Sequence, residues 1–172
     1  MWGDTRSLTA LFDAVAAAAV TDGLAESAFA WVGDWNGNPF APPLDAQPGI
    51  YAWGEAHLQL AYVLQYEATG ATRYLDVFLQ RFRRLLALRD DRLGRVDVLR
   101  GRVMPAWGSV FFSGGQHTCF IVHAGMITYP AARFIHLAAA DPALPSRYRN
   151  DIDEMQAALL ETVDGFAHEW HD

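Results

Sequence analysis

Hydrophobic residues recur every three or four positions over much of this chain, a pattern that predicts an all-α fold. Residues 7–20 are alanine-rich and place their larger apolar side chains on one face, as an amphipathic helix does. A second helical pattern runs from Glu55 to Gly70, where a glycine is typical of a helix C-terminus. A third occupies residues 71–91, after the short polar turn TGAT. We therefore predict an antiparallel helical hairpin here.

The C-terminal part of the chain predicts a second hairpin. We expect one helix over about residues 128–140 and another over about residues 146–168, joined by the sequence DPALP. Proline lacks a backbone donor and favours the first turn of a helix, so Gly125 and Pro130 predict a break before Tyr129. His123 would then end a separate segment.

The two predicted hairpins resemble each other. Each consists of an apolar helix, a short polar connection and a second helix with a tyrosine near its start, Tyr74 in one and Tyr148 in the other. This weak internal repetition is expected of stacked helical hairpins, although two unrelated amphipathic hairpins also look somewhat alike. The chain is thus predicted to be a single helical domain spanning residues 1–172.

Two long irregular segments, rich in aromatic residues, interrupt the helices at about residues 21–53 and 90–115. Structureless segments of this length are uncommon in compact domains and are often functional. The first contains Asp34, Asn36 and Asn38, but its glycine is misplaced for a calcium loop and no distal glutamate follows. We interpret this stretch as a tight turn.

The amino-acid composition limits the kinds of partner that this chain is expected to bind. The net charge of −7 argues against a general nucleic-acid binder. No apolar run approaches the roughly 20 residues that span a bilayer. All 13 basic residues are arginine, and eight of them lie between Arg81 and Arg102. This cluster either pairs with neighbouring carboxylates across a solvated loop or suits an anionic ligand, because the guanidinium fork matches carboxylates and phosphates.

The N-terminal stretch LTALFDAVAAAAV has the apolar character of a secretory leader. Asp4 and Asp13 interrupt it, so an amphipathic first helix explains it better. The sequence has no convincing signal peptide or transmembrane segment, and the single cysteine leaves the cellular compartment undetermined.

A metal site is the first hypothesis for residues 113–138, which contain three histidines and Cys119. On a continuous helix, Cys119 and His123 would share a face. However, no CxxC, HExxH or similar ligand spacing is present. We therefore predict no metal and no cofactor, with Cys119 serving as a small buried hydrophobe.

The sequence AYVLQYEATGATRYLDVFLQRFRRLL resembles the hairpins of α/α-toroid carbohydrate-active proteins, among them polysaccharide lyases, uronate epimerases and six-hairpin glycosidases. The resemblance rests on the turn formed by Thr69, Gly70 and Tyr74. It implies stacked hairpins in a partial toroid. Because a complete toroid has more helices than this chain, we expect either a fragment of a longer protein or a smaller domain that completes its core by self-association.

The resemblance also implies an acidic poly- or oligosaccharide as ligand and lyase or epimerase chemistry. Elimination at a uronate needs a base for the C5 proton, an acid for the leaving oxygen and a group that neutralises the carboxylate. His123, Tyr129 and His57 are the candidate catalytic residues. Arg102 and Arg133 are the candidates for binding the carboxylate.

Further candidate substrate-binding residues flank the helices. Trp53 is predicted to stack against a sugar ring, and Trp107 to line an aromatic, arginine-rich cleft. Glu55 and His117 complete the set, although Glu55 also suits a helix N-terminus for electrostatic reasons alone.

Two other functions fit the same sequence. A non-catalytic helical-repeat module that binds a partner would have scattered, buried histidines. A glycoside hydrolase would need two carboxylates facing one cleft, which Glu55 with Asp34 or Asp97 would supply. Convergence of His57, His123, Tyr129 and an arginine in one cleft would favour the lyase or epimerase.

Overall fold

The computed structural model of the protein describes residues 51–169, so the predicted helix at 7–20 and the turn at 34–38 lie outside the described residues. The fold is mostly helical, as predicted. A π-helical turn, Tyr51–Glu55, leads into the helices α1 (Ala56–Thr69), α2 (Arg73–Ala87), α3 (Asp90–Leu93), α4 (Ile121–Ala140) and α5 (Leu144–Gly165), and a 3-10 turn follows at Ala167–Glu169. Four two-residue strands, β1 (Val96–Asp97), β2 (Arg102–Val103), β3 (Gly108–Ser109) and β4 (Thr118–Cys119), lie between α3 and α4.

Helices α1 and α2 form the predicted first hairpin. Helix α1 ends at Gly70, which adopts the left-handed conformation (φ 68°) that glycine reaches without strain, and its N–H donates to the carbonyl of Tyr66. Helix α2 is strongly amphipathic and buries an apolar face that includes Phe78 and Phe82.

Helices α4 and α5 form the second hairpin, but the predicted break before Tyr129 is wrong. Helix α4 begins at Ile121 and runs through both Gly125 and Pro130. Pro130 forfeits one helical hydrogen bond, yet its side chain is buried. The hydroxyl of Thr128 donates to the carbonyl of Ala124 at 2.8 Å, one turn earlier. Burial and packing therefore outweigh the local preference for a helix start at this proline.

The two hairpins pack side by side in the same orientation. Contacts advance together along α1 and α4, and likewise along α2 and α5, so each pair of helices is parallel. From the π-helical turn into α1, the contacts with α4 advance from Trp53–His123 to Glu67–Arg133. The α2–α5 contacts are Asp76–Tyr148, Arg83–Asp151 and Arg89–Glu161. Within the described residues, the second hairpin thus repeats the placement of the first.

The core lies between the hairpins. Phe134 of α4 packs against Phe78 of α2 (ring centroids 5.4 Å apart) and against Tyr148 of α5 (5.9 Å apart). Tyr148 has non-helical backbone angles that kink α5 near its start, and its hydroxyl donates to Asp76 of the first hairpin. The kink therefore coincides with a contact that joins the two hairpins.

The predicted loop at 90–115 is largely a folded connection rather than an irregular segment. Strands β1 and β2 pair antiparallel, as do β3 and β4. The carboxylate of Asp90 holds the second pair in place, because its Oδ2 accepts hydrogen bonds from Gly108 N (3.0 Å), His117 Nε2 (2.7 Å) and Cys119 Sγ (3.3 Å). Burial and the neighbouring Asp90 carboxylate raise the pKa of the Cys119 thiol, so this cysteine is a buried donor, not a nucleophile.

A second buried carboxylate, Asp97, anchors the other strand pair. Its Oδ2 accepts hydrogen bonds from Cys119 N (2.9 Å) and from the Arg100 guanidinium (2.5 Å). Burial alone would raise the pKa of Asp97, but these hydrogen bonds outweigh it and lower that pKa. The buried carboxylate is therefore ionised, and it holds the strands in place through these hydrogen bonds.

The only ion pair with both partners fully buried in the described chain joins Glu55, at the start of α1, to Arg81 of α2. The Arg81 Nε donates to Glu55 Oε1 at 2.6 Å, its Nη2 donates to Oε2, and Gln59 also donates to Oε1. Two parallel bonds hold the carboxylate in one orientation. The pair therefore fixes the position of the π-helical turn relative to helix α2 of the first hairpin.

Substituting Arg81→Met should destabilise the protein strongly. The change leaves the Glu55 carboxylate buried without its counter-charge, which costs about 3–5 kcal/mol. The control is Arg83→Met, which breaks the exposed Arg83–Asp151 pair and should cost about 0–1 kcal/mol. Urea unfolding followed by circular dichroism measures both; equal losses would contradict the assigned role of the buried pair.

Substituting Gly108→Ala should also destabilise the protein. An added Cβ would lie 2.6 Å from Asp90 Oδ2 and against the His117 imidazole, both held in place by hydrogen bonds. We expect a loss on the order of 1–3 kcal/mol. The matched control, Gly125→Ala in α4, meets no heavy atom within 4 Å and should gain about 0.5–1 kcal/mol of helix stability. Thermal unfolding of both variants tests whether the first lowers the stability of the protein and the second raises it.

Candidate functional site

Trp53 and His123 form the centre of the candidate site. The π-helical turn places Trp53 beside the first turn of α4, where its indole Nε1 donates to His123 Nε2 at 3.3 Å. The indole is 59% exposed, whereas the imidazole beneath it is only 2% exposed. An exposed aromatic ring therefore covers a buried polar group.

The hydrogen bond fixes the protonation of His123. A donor facing Nε2 requires a lone pair there, so the proton of the neutral imidazole lies on Nδ1. Burial lowers the pKa of His123, which also favours the neutral form. Nδ1 is buried and has no hydrogen-bond partner among the described residues. At neutral pH, His123 is thus an uncharged ring whose basic nitrogen is occupied by Trp53.

Phe112 extends the aromatic surface. It is 82% exposed, and its ring centroid lies 6.1 Å from that of His123 and 6.5 Å from that of Phe120. Its backbone has φ 65°, a conformation that a bulky side chain rarely adopts. The hydroxyl of Ser113 lies within hydrogen-bond distance of the carbonyls of Val110 and Gln116 and stabilises the turn by donating to one of them. The chain therefore holds a strained, exposed phenylalanine beside the imidazole.

His57 and Tyr129 lie together, one helical turn further along the same seam between α1 and α4. Both line a small cavity of about 80 Å³, whose walls include Met126 and Pro130. Both side chains are also exposed, so this cavity opens to solvent. Trp53 and His57 are four residues apart, as two residues on one helical face are.

Neither candidate arginine reaches the aromatic centre. The guanidinium of Arg133 binds both carboxylate oxygens of Glu67, at 2.8 and 2.6 Å, and Arg133 lies one helical turn after Tyr129 on α4. Arg102 donates to the carbonyl of Gly165 at 2.7 Å, at the far end of α5. Arg133 therefore flanks the His57–Tyr129 cavity, and Arg102 holds β2 against α5.

The remaining predicted binding residues occupy structural positions. Trp107 is buried, and its indole donates to the carbonyl of Leu85 at 2.7 Å. His117 is bound to Asp90, and Glu55 is bound to Arg81 in the core. In the described structure none of these three side chains joins the Trp53–His123 centre.

The arginine cluster at 81–102 pairs mainly with the protein itself. Arg89 binds Asp91 and Glu161, and Arg100 binds Asp97 and Glu169. These pairs join the connection between the hairpins to α5 and to the 3-10 turn that follows it. The clustering is explained by internal pairing between loop and helix, which was the simpler of the two interpretations.

The sequence places Phe112 in the aromatic stretch with Trp107 but does not single it out as the most exposed aromatic residue of the site. The doubled phenylalanine followed by Ser-Gly-Gly was the available indication, because serine and glycine are typical of turns. Phe120 was missed as well, since the predicted break obscured that Phe120 is the extended residue preceding α4.

No group of three histidine, cysteine or acidic side chains within residues 51–169 is arranged to hold a metal ion. Over the same range, every helix is too short or too polar to cross a bilayer. Comparison with protein-family models, with curated proteins and with solved structures gives no match to this chain.

Substituting Trp53→Phe should raise the pKa of His123. The indole N–H stabilises the neutral imidazole by donating to it, so removing the donor makes protonation easier while the burial that lowers the pKa persists. Titration of the histidine ring protons by NMR measures the shift, with exposed His136 as the internal control. An unchanged or lower His123 pKa would show that the Trp53 hydrogen bond is absent in solution.

Proposed function

We propose that this protein is a carbohydrate-binding domain built from stacked helical hairpins on the α/α-toroid plan, with its ligand site at Trp53, His123 and Phe112. The observation that carries the proposal is the exposed indole of Trp53 hydrogen-bonded to the buried imidazole of His123. The ligand is an oligosaccharide that stacks on the exposed rings.

The chemistry of these three side chains supports a saccharide. Flat aromatic rings offer apolar area at little entropic cost, which suits the C–H faces of a pyranose. An adjacent polar group fixes the orientation of such a ligand. The Nδ1–H of His123 has no hydrogen-bond partner in the described structure, and a buried donor without a partner is energetically costly. A small rotation of the imidazole would present this N–H to a hydroxyl oxygen of the ligand.

The parallel placement of the two hairpins supports the toroid plan. In such a plan α1 and α4 are neighbouring inner helices, and α2 and α5 are neighbouring outer helices. The strongly amphipathic α2 and the more uniformly apolar α4 agree with outer and inner positions.

Binding is favoured over elimination at the Trp53–His123 centre. A base needs a free lone pair, and Trp53 occupies the Nε2 lone pair of His123. A uronate carboxylate also needs a cation, and neither Arg102 nor Arg133 lies beside the rings. A hydrolase is favoured still less, since Glu55 and Asp97 are buried in separate ion pairs.

Lyase or epimerase chemistry on an acidic saccharide is the second candidate, located at the cavity of His57 and Tyr129. Its support is the shared lining of that cavity by an imidazole and a phenol, with Arg133 one helical turn from Tyr129. His57 would act as base, Tyr129 as acid, and Arg133 would bind the carboxylate after releasing Glu67.

Trp53→Ala and Phe112→Ala should each weaken oligosaccharide binding about tenfold or more, since truncating a central aromatic anchor removes most of its contact. Calorimetry with neutral and acidic oligosaccharides chosen on a glycan array measures this. Leu99→Ala, which truncates an exposed side chain elsewhere, should bind normally. No binding by the wild-type chain, or full binding by both aromatic variants, would refute the site. Unsaturated uronate products that disappear in Tyr129→Phe would establish the second candidate instead.

A further inference from the structure

Helix α4 carries too much apolar surface for the neighbours it has. Its 20 residues include a single formally charged side chain, Arg133, and its apolar residues are spread around the helix. A helix that is apolar on all sides belongs in an interior. Two sides of α4 are covered, by α1 and by α5. Among residues 51–169, no helix packs against the third side.

This uncovered side is a regular stripe. Helical spacing places Ile121, Gly125, Thr128, Ala132, Ile135 and Ala139 on one face of α4, and all six are exposed or partly exposed. The matching stripe on α5 includes Leu160 and Val163, which are 58% and 56% exposed. We call the two stripes together the α4–α5 outer face.

The two stripes meet in a groove. Ile135, Ala138 and Ala139 of α4 line it on one side, and Pro145 and Ile152 of α5 on the other, around a volume of about 170 Å³. Met126 lines the His57–Tyr129 cavity, and Ile135 follows it by nine residues. This spacing places Ile135 on the opposite side of the helix from that cavity. The outer face therefore points away from the first hairpin and from the candidate ligand site.

The charges on this face are self-complementary. Arg149 and Asp153 are exposed at the groove, four residues apart on α5, and the described structure shows no ion pair between them. The groove has one cation and one anion in its lining and thus no net charge, in contrast to the net charge of −7 of the whole chain. Two copies related by a two-fold axis would place Arg149 of each copy opposite Asp153 of the other.

We propose that the α4–α5 outer face is the interface of a two-fold symmetric homodimer. In the dimer α4 gains cover on its third side, and each guanidinium meets a carboxylate.

Charge reversal in the 172-residue chain tests both the location of the interface and its two-fold symmetry. Arg149→Asp and Asp153→Arg should each raise the dimer dissociation constant about tenfold or more, because each places like charges opposite one another twice. The double variant restores opposite charges at unchanged net charge and should recover dimerisation. Sedimentation equilibrium over a range of concentrations measures the three constants.

Leu160→Glu should likewise give monomers, since it buries a carboxylate in the apolar face. Leu64→Glu, at an exposed leucine of α1, should leave the dimer intact. Circular dichroism and thermal unfolding confirm that each variant is folded. A wild-type protein that is monomeric at about 100 µM, a concentration above the dissociation constants of specific dimers, overturns the proposal. A dimer that all outer-face substitutions leave unaffected, or that the double variant fails to restore, also overturns it.

Discussion

The buried ion pair between Glu55 and Arg81 is the constraint from which the rest of the described structure follows. It lies where the π-helical turn becomes α1, and it ties that junction to the middle of α2. An ionised pair is tolerated in a core only when its geometry satisfies both partners, so it permits few alternative registers. Because Trp53 and His57 lie two residues either side of Glu55, the same pair decides where both candidate ligand-site residues meet α4. A core contact thus positions a surface site.

The second organising feature is the use of arginine to join segments distant in sequence. Arg89 connects the end of α2 to α5, and Arg100 connects the strand connection to the turn after α5. Lysine would supply the charge without the planar fork that grips a carboxylate and a carbonyl together. Arg100 shows this use, since it binds Asp97, Glu169 and the carbonyl of Cys119. The connection between the hairpins is held mainly by these contacts and by the buried Asp90.

The helical hairpins were predictable from sequence because their determinants are local. Periodicity located α1 and α2, and Gly70 marked the end of α1. The four short strands were not predictable, since Asp90 and Asp97 organise them through residues up to 29 positions away. Pro130 misled the prediction because the helical hydrogen bond that it loses is a local cost, visible in the sequence. The burial of its side chain between α1 and α4, which compensates for that loss, arises only in the folded chain. At the site, sequence supplied the residue types but not their partners: only the folded chain brings Trp53 to His123, 70 residues later, and commits Arg133 to Glu67.

The absence of lysine has a consequence for alkaline chemistry. Every cationic side chain in the ion pairs described above, apart from a protonated histidine, is a guanidinium, which keeps its proton at any pH that proteins ordinarily meet. Burial also raises the pKa of Tyr51 and Tyr148 above the usual phenol range, so these interior groups resist ionisation as well. The ion pairs and hydrogen bonds that join the hairpins therefore include no lysine or readily ionised phenol that would lose its proton at mildly alkaline pH. The same composition leaves no side-chain amine for acylation or aldehyde cross-linking, so amine-directed reagents would find no lysine to modify in this chain.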